Sequence, residues 1–241
     1  MDMDTDVEDT VVKTETARSN ADAQINHEAA IAYWSSQPAS DDGVLGGHAE
    51  VSRVDLQGSA NFLAKLRRTS TEFPPSKGKL QRVADTGAGI GRITKGFLSN
   101  VALTVDIVEP VTKFTASLAT EAYVGKIYNC GLEDWTPETS YDLIWNQWCV
   151  GQIRDDQLVE YLKRITAHLN PGGWIIVKEN ITNNILGENE YDETDSSVTR
   201  TDLHFRQIWD RADLRLVSTE LQKGFPKILY PVRSYALQPK K

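Results

Sequence analysis

Three glycines follow an acidic residue in the first half of the chain, at a spacing that shapes a ligand-binding turn. An apolar run at residues 80–84 is followed by Asp85, then by Gly87, Gly89 and Gly91, and then by a helical pattern. Glycine permits a sharp turn and lets a ligand approach the backbone, because it has no Cβ atom. The next helix begins with free backbone N–H groups. The stretch therefore predicts a strand–turn–helix unit that binds a ligand.

Two ligand classes use such a turn. Dinucleotide enzymes need G-x-G-x-x-G with a pyrophosphate at the helix N-terminus, but here Gly91 comes one residue early. Glu109 follows the next apolar run, where a carboxylate accepts hydrogen bonds from a ribose diol. Asp85 and Glu109 together predict an acidic wall that suits a cation better than a pyrophosphate. The arrangement resembles that of class I S-adenosylmethionine (SAM) methyltransferases, and a nicotinamide oxidoreductase is the alternative.

Composition narrows the class of protein. The chain has 241 residues, of which 40% are hydrophobic and 25% charged, as expected for one α/β domain with an extension. Its net charge of −8 disfavours a nucleic-acid partner, because phosphate binding needs a basic surface. No apolar run has the length of a membrane span, and the acidic N-terminus has no signal-peptide pattern. We therefore expect a cytoplasmic protein without a membrane partner, and entry into the nucleus stays open.

The two cysteines do not indicate a metal site. Cys130 and Cys149 lie in apolar, strand-like segments, which predicts buried free thiols in a reducing compartment. The four histidines do not combine with them at a metal-ligand spacing. We expect no bound metal.

The first 79 residues differ from the rest of the chain. Residues 1–20 are acidic and aperiodic, which predicts a disordered tail. Residues 21–79 predict a helical extension, with one helix at 21–36 and another from Asp55 or Ser59 to Arg68. A glycine-rich loop at 41–47 and a proline-containing linker at 72–79 complete the extension.

In residues 80–241, apolar runs alternate with amphipathic segments. This pattern predicts a parallel sheet with helices, which would form the catalytic domain. Strands are predicted at 80–84, 103–108, 126–130, 141–146, 174–178, 214–222 and 228–237, and helices at 90–98, 110–121, 155–169 and 201–212. Seven strands with a final antiparallel pair are the layout of a class I SAM methyltransferase, a Rossmann-like α/β fold. Residues 180–198 are long and polar for a connection, which predicts a functional insertion.

Several short motifs together resemble one family. They are Tyr-Trp at 33–34, Gly-Val-Leu-Gly-Gly at 43–47, residues 85–95, Gly-Leu-Glu-Asp-Trp at 131–135, residues 141–151, Lys-Glu-Asn at 178–180, Asp-Glu-Thr-Asp-Ser-Ser-Val at 192–198, and residues 230–237. The chain resembles the eukaryotic protein α-N-terminal methyltransferases from about residue 33 to its C-terminus. That family methylates the exposed α-amine of proteins that begin Xaa-Pro-Lys after removal of Met. The resemblance implies SAM as cofactor, S-adenosylhomocysteine as product, and protein N-termini such as those of ribosomal proteins as partners; a monomer is the default expectation.

The resemblance also implies a cofactor site. Its residues are Gly87 and Gly89 against the methionine part, Arg92 on the carboxylate, Glu109 on the ribose hydroxyls, Leu132 and Glu133 beside the adenine, and Gln147 at the methionine end. A guanidinium can bind a carboxylate with two hydrogen bonds. A cation in the first turn of a helix opposes the helix dipole, which a bound anion explains better than a surface position does.

The family's substrate site implies roles for two acids and an amide. An α-amine has a pKa of about 8, so much of it must lose a proton before it can attack a methyl group. Asp195 is the candidate base, and Asn180 is expected to orient the amine through its side-chain oxygen. Asp192 is expected to pair with the lysine at substrate position three, although the two aspartates could share or exchange these roles. The alternative is that both are solvated loop acids or helix caps.

Other residues match positions that the family uses around the peptide. Trp34 and Trp148 offer apolar faces to the proline and to a partly methylated ammonium, Leu45 and Gly46 line the path of the peptide, and Tyr230 completes the set. The alternative for Trp34 is simple packing of a helix on the sheet.

One departure from the family affects the chemistry. Gln152 stands where the family usually has histidine, and glutamine cannot accept a proton at neutral pH. Either Asp195 suffices as base, or activity is lower, or the preferred substrate differs. The alternatives for the whole chain are therefore a small-molecule amine methyltransferase and a weakly active homologue that binds protein N-termini.

Overall fold

The computed structural model describes residues 21–69 and 78–241. The predicted acidic tail at 1–20 and most of the predicted linker at 72–79 lie outside these residues. Between the described ends, the chain forms helices first and then a large sheet.

The described residues form a seven-stranded sheet in the order β3-β2-β1-β4-β5-β9-β8, beside a two-stranded hairpin of β6 and β7. The strands are β1 (Leu80–Thr86), β2 (Ala102–Val108), β3 (Val124–Tyr128), β4 (Tyr141–Gln147), β5 (Leu169–Asn180), β6 (Glu190–Asp192), β7 (Ser197–Thr199), β8 (Leu214–Leu221) and β9 (Val232–Pro239). The first five strands are parallel, and β9 is antiparallel to both of its neighbours. The predicted seven-stranded class I layout is confirmed.

Hydrophobic residues on both faces of the sheet bind it to the helices. The helices are α1 (His27–Ser36), α2 (Asp41–Val44), α3 (Ser52–Thr69), α4 (Ser99–Val101, directly after a π-helical segment Thr94–Leu98), α5 (Thr112–Thr115), α6 (Asp155–Thr166) and α7 (Asp202–Arg211). One face packs against α6 and α7, and the other packs against α3 and the π-helical segment. Strand β4 is buried along its whole length, as expected for a central strand covered on both sides.

Several predicted boundaries are wrong, for local reasons. The first long helix begins at His27 rather than residue 21, because the Asn26 side chain caps it by accepting from the Ala29 N–H at 3.1 Å. The predicted loop at 41–47 contains the short helix α2, which Ser40 caps. The predicted helix at 110–121 is reduced to α5, in which the Thr115 hydroxyl donates to a backbone carbonyl.

Other expectations hold. Helix α7 occupies residues within the predicted 201–212, and Thr201 caps it. Cys130 and Cys149 are free and partly buried. No helix in residues 21–69 or 78–241 combines the length and apolar character that crossing a bilayer requires.

The N-terminal segment packs on the β6–β7 hairpin. Ala21 and Ile25 form a small apolar cluster with Val198 of the hairpin. The backbone N–H of Asn26 donates to the Ser196 hydroxyl at 2.8 Å. The extension and the 180–198 insertion therefore contact each other.

A buried ion pair, the Arg200 clamp, joins that insertion to the loop after β4. The Arg200 side chain is fully buried and donates to Asp155 Oδ1 at 2.8 Å. It also donates to the carbonyls of Val150 and Ile153, at 2.9 and 2.6 Å. Burial alone would raise the pKa of Asp155, but the hydrogen bond with His204 and the charge of Arg200 outweigh burial and lower that pKa to about 2.

We expect Asp155→Asn to lower the free energy of unfolding by about 3 kcal/mol at pH 7, because it leaves a buried guanidinium without its counter-charge. A depressed carboxyl pKa stabilises the fold above the unfolded pKa of about 4, and this contribution is lost as pH falls towards 2. Urea unfolding should therefore show a large difference from wild type at pH 7 and a smaller one at pH 3.

The control is Asp210→Asn, which breaks the exposed pair with Lys240 (2.6 Å). It should change stability by less than about 1 kcal/mol. If Asp155→Asn were as stable as wild type at pH 7, the clamp would not contribute to folding.

Candidate active site

A cavity, called here the cofactor cavity, opens at the carboxyl ends of β1, β2 and β4, where α/β sheets bind ligands. It is lined by all seven residues predicted to bind the cofactor: Gly87, Gly89, Arg92, Glu109, Leu132, Glu133 and Gln147. The fold thus brings together side chains that are up to 60 positions apart in the chain.

The glycine turn is shaped by its neighbours. Gly87 has φ +63°, and a Cβ atom there would lie 2.2 Å from the Cys149 Cβ. The N–H groups of Gly89 and Val111 donate to the two carboxylate oxygens of Glu109, at 2.8 and 2.9 Å. Burial raises the pKa of Glu109. Each oxygen keeps a second lone pair, which fits the two hydroxyls of a ribose.

Of the two acids predicted to form an acidic wall, one lines the cofactor cavity and the other does not. Asp85 does not line the cavities formed by the described residues; it lies beneath the turn and accepts from the Thr94 hydroxyl at 2.5 Å. Burial raises the pKa of Asp85 to about 7. Of these two acids, Glu109 is therefore the one that lines the cavity, and Asp85 holds the turn to the following helix.

Arg92 is the cation of the cavity. Its side chain is 7% exposed, its Nη1 lies 2.8 Å from Asp55 Oδ2, and its guanidinium lies 5.2 Å from the centre of the Trp148 ring. Within the described chain, the buried Nη1 has no partner at hydrogen-bond geometry. That nitrogen faces Asp55, and a guanidinium that lines a cofactor cavity fits an anionic ligand group such as the carboxylate of SAM.

Asp55 holds several of these groups together, in what we call the Asp55 cluster with Arg92, Gln147 and Lys178. The Gln147 amide donates to both Asp55 oxygens, at 2.9 and 2.8 Å, and its own oxygen accepts from Trp145 Nε1 at 3.0 Å. Lys178 Nζ lies 2.5 Å from Asp55 Oδ1. The Gln147 side chain is thus bound mainly to the protein rather than free for the cofactor.

The sequence analysis did not predict this cluster, although the position of Asp55 in its helix could have indicated it. Asp55 lies on the buried side of α3 with Ser59, Phe62, Leu63 and Leu66. An acid that falls in an apolar helical stripe indicates a buried, paired carboxylate.

The far end of the cofactor cavity is more apolar. Leu132 is buried there, close to the apolar side chains of Val111 and Phe114. Glu133 lies 3.7 Å from His27 Nδ1, and His27 is a lining residue that the sequence did not suggest. The lining thus combines apolar side chains with a carboxylate and an imidazole.

A second cavity, the substrate cavity, lies next to the first. Its lining includes the predicted Trp34, Leu45, Gly46, Trp148, Gln152, Asn180, Asp195 and Tyr230. Trp34, Leu45, Trp148 and Gln152 line both cavities, so the two adjoin at these side chains. A group bound in one cavity can therefore reach a group bound in the other.

Asp195 has one free oxygen in this cavity. Its Oδ2 accepts from Gln152 Nε2 at 3.3 Å, whereas its buried Oδ1 has no hydrogen-bond partner in residues 21–69 and 78–241. Burial raises the pKa of Asp195, and hydrogen bonds with Ser197 and Gln152 oppose part of that rise. A partly buried carboxylate with an unsatisfied oxygen is arranged to accept a hydrogen bond or a proton from a ligand.

Trp148 adopts an unusual backbone conformation between the cavities. Its φ is +51°, in the left-handed region that non-glycine residues rarely occupy. Its indole N–H donates to Asn180 Oδ1 at 3.1 Å. The oxygen expected to orient the amine thus already accepts one hydrogen bond and retains one lone pair.

Asp192 and Tyr230 differ in their position relative to the substrate cavity. Asp192 is exposed, accepts from the Thr194 N–H at 2.8 Å, and does not line either cavity of the described chain. Tyr230 lies at the rim, where its hydroxyl donates to Glu190, and this hydrogen bond raises the pKa of Tyr230 to about 12.

Two further residues were missed. Tyr33 lies within electrostatic reach of Asp195 and Asp192, whose charges add to burial in raising its pKa. Glu179 lines the substrate cavity, accepts from the Asn180 N–H at 3.0 Å, and has its pKa raised to about 7 by burial. Both lie within the motifs at 33–34 and 178–180, in which only Trp34 and Asn180 were predicted to have a role.

The fold and the two adjoining cavities define a class I SAM-dependent methyltransferase. A solved SAM-dependent methyltransferase of Leishmania major is similar, with a TM-score of 0.78 and 35% identity over 88% of this chain and 82% of that one. A family model described as AdoMet-dependent proline di-methyltransferase matches residues 22–238, and the chain belongs to that family.

Curated relatives agree. The chain is 40% identical over 219 residues to alpha N-terminal protein methyltransferase 1 of Schizosaccharomyces pombe, covering 87% of this chain and 94% of the relative. It is 38% identical over 212 residues to N-terminal Xaa-Pro-Lys N-methyltransferase 1 of Xenopus tropicalis, covering 86% and 92%. These findings exclude the nicotinamide oxidoreductase alternative, and SAM is the cofactor.

We expect Gly87→Ala to weaken SAM binding by about tenfold or more, because the added Cβ would overlap Cys149 and force the turn to move. Isothermal titration calorimetry measures the effect. Gly187→Ala is the matched control, since Gly187 has a similar φ of +65° and no atom within 4 Å of its added Cβ. Equal SAM affinity in the two variants would contradict the assigned role of the turn.

Proposed function

We propose that this enzyme transfers methyl groups from SAM to the α-amine of proteins that begin Xaa-Pro-Lys after removal of Met. S-adenosylhomocysteine is the product. The relatives named for this reaction support the proposal, because this chain aligns with nearly their whole length. The observation that carries it is the unpartnered, buried Oδ1 of Asp195 in a cavity that adjoins the cofactor cavity.

Asp195 is the proton acceptor in this proposal. The substrate amine arrives largely as an ammonium, with a pKa of about 8. Asp195 Oδ1 accepts its proton, and the raised pKa of Asp195 makes it a stronger base than an exposed aspartate. When bound, SAM supplies an electrophilic methyl group on a sulfonium. The chain contributes mainly positioning and removal of this proton.

Gln152 supports a single-base mechanism. It cannot accept the proton, but its amide holds Asp195 Oδ2 and so leaves Oδ1 for the substrate. This contact favours the interpretation that Asp195 suffices where the family usually has histidine. Asn180 orients the amine through the remaining lone pair of its oxygen.

The cofactor roles follow from the residues present. Arg92 binds the carboxylate, Glu109 the ribose hydroxyls, Leu132 and Glu133 lie beside the adenine, and Gly87 and Gly89 leave room for the methionine part. Gln147 acts chiefly through Asp55 rather than on the cofactor directly.

The peptide enters past the rim of the substrate cavity. Trp34 and Trp148 present apolar faces to the proline, and Leu45 and Gly46 form the wall of its path. Asp192, exposed outside the cavity, is placed to attract the lysine at position three rather than to take part in proton transfer. Tyr230 shares this rim.

The proposal also covers the protein substrates, the cellular compartment and the oligomeric state. Ribosomal protein N-termini are proposed substrates, in the cytoplasm. The enzyme is proposed to act as a monomer.

Mass spectrometry tests the function. The enzyme and SAM should add mass in steps of one methyl group to a Pro-Pro-Lys peptide, and none to the same peptide with an acetylated N-terminus. Methylation of free small amines but not of the peptide would favour a small-molecule methyltransferase. Peptide binding without any transfer would favour an N-terminus-binding homologue.

Asp195→Asn should lower turnover of that peptide by about a hundredfold or more, because the base is lost. SAM affinity should be unchanged. Burial raises the pKa of Asp195 above its unfolded value, so the fold loses stability as pH rises through that pKa. The melting temperature of the variant at pH 8 should therefore equal or exceed that of wild type.

Turnover close to wild type in Asp195→Asn would exclude Asp195 as the base. A fall in both turnover and melting temperature would indicate a structural role instead.

A further inference from the structure

We propose that Asp55, on the extension helix α3, is a positioning residue that fixes the Arg92 guanidinium for the carboxylate of SAM. The extension would then set cofactor affinity as well as form part of the substrate cavity. The inference rests on the proposed function in one respect, the binding of the SAM carboxylate by Arg92.

The first observation is the completeness of the contacts made by Asp55. Its side chain is fully buried, and both of its oxygens are engaged by Gln147, by Lys178 and by Arg92, at distances of 2.5 to 2.9 Å. Arg92 contacts Asp55 through Nη1, and it is the charged member of this set that lines the cofactor cavity of the described residues. The Arg92 guanidinium is thus the charge of the cluster that a ligand in that cavity can reach.

The second observation is the charge balance. Arg92 and Lys178 are two cations against the one carboxylate of this cluster. Asp85 also interacts electrostatically with Arg92, but burial raises the pKa of Asp85 to about 7 and so weakens it as a counter-charge. Lys178 Nζ also contacts the Asp55 carbonyl (3.1 Å), Ser59 Oγ (3.0 Å) and Gln222 Oε1 (2.8 Å), acceptors that satisfy an ammonium. It does not line the cofactor cavity of the described chain, whereas Arg92 does. Of the two cations, Arg92 is therefore the one that an anion in that cavity can reach.

The third observation is the way in which the guanidinium is held. Asp55 meets one of its nitrogens, and the Trp148 ring lies near it at 5.2 Å. A long arginine side chain loses considerable rotamer entropy when it binds a ligand, and a preformed ion pair reduces that loss. Without Asp55, Arg92 would also lie beside Lys178 with no intervening carboxylate.

The test compares two ligands that differ in one group. S-adenosyl-3-thiopropylamine is S-adenosylhomocysteine without its carboxylate. Calorimetry on the full chain would give the ratio of the two affinities for wild type and for each variant. We expect Asp55→Asn to weaken binding of S-adenosylhomocysteine about tenfold or more, the size expected for a charge-assisted hydrogen bond, and to leave binding of the thiopropylamine within about twofold.

Asp106→Asn is the matched control. Asp106 is equally buried in the sheet and pairs with an arginine, Arg82, at 2.8 Å, but it does not line either cavity of the described residues. It should lower stability and leave the affinity ratio unchanged. If Asp55→Asn weakened both ligands equally, Asp55 would have only a structural role and the inference would be overturned.

Arg92→Gln separates this inference from the proposed function. If Arg92→Gln leaves the ratio unchanged, the assignment of Arg92 to the carboxylate is wrong. If Arg92→Gln abolishes the preference for the carboxylate but Asp55→Asn keeps it, the assignment stands and the role of Asp55 is excluded. Should Asp55→Asn fail to fold, Asp55→Glu keeps the charge and displaces the carboxylate by one methylene, and it should lower the same ratio; an unchanged ratio in that variant overturns the inference.

Discussion

Buried charge at the carboxyl edge of the sheet is the constraint on which the rest of the structure depends. The Asp55 carboxylate is fully buried and can remain so because Arg92, Lys178 and Gln147 surround it. These partners come from the glycine turn, from β5 and from the end of β4. This one carboxylate therefore connects the extension to the glycine turn, to β4 and to β5. It also contacts Arg92, the cation that lines the cofactor cavity.

A second buried pair organises the other half of the site. Arg200 and Asp155 hold the loop after β4 against the start of α7 and the end of the 180–198 insertion. That loop carries Gln152, and the insertion carries Asp195, so the contact between these two side chains depends on the clamp. The two halves adjoin at Trp148, whose strained backbone is tolerated because Arg92 and Asn180 contact its ring.

Sequence patterns predicted the central fold well and the local helix ends poorly. The apolar runs of β1, β2 and β4 are long and buried on both sides, so their pattern is unambiguous. At the start of α1 the Asn26 side chain accepts from a backbone N–H, and in the short α5 the Thr115 hydroxyl donates to a backbone carbonyl. Hydrophobic periodicity does not record such single hydrogen bonds. The residues around both cavities were identified through motifs, and Asp192 is the one that the fold leaves outside.

By itself, the sequence determined the seven-stranded layout, the glycine turn and the family, because hydrophobic periodicity and short motifs are local properties of the chain. The tertiary structure alone decided how the charges are shared. In the folded chain, Asp85 lies beneath the glycine turn and the Gln147 amide donates to Asp55. Oδ1 of Asp195 has no hydrogen-bond partner among the described residues. Such roles depend on contacts between residues distant in sequence, and which partner a buried polar group finds is set only when the elements pack together.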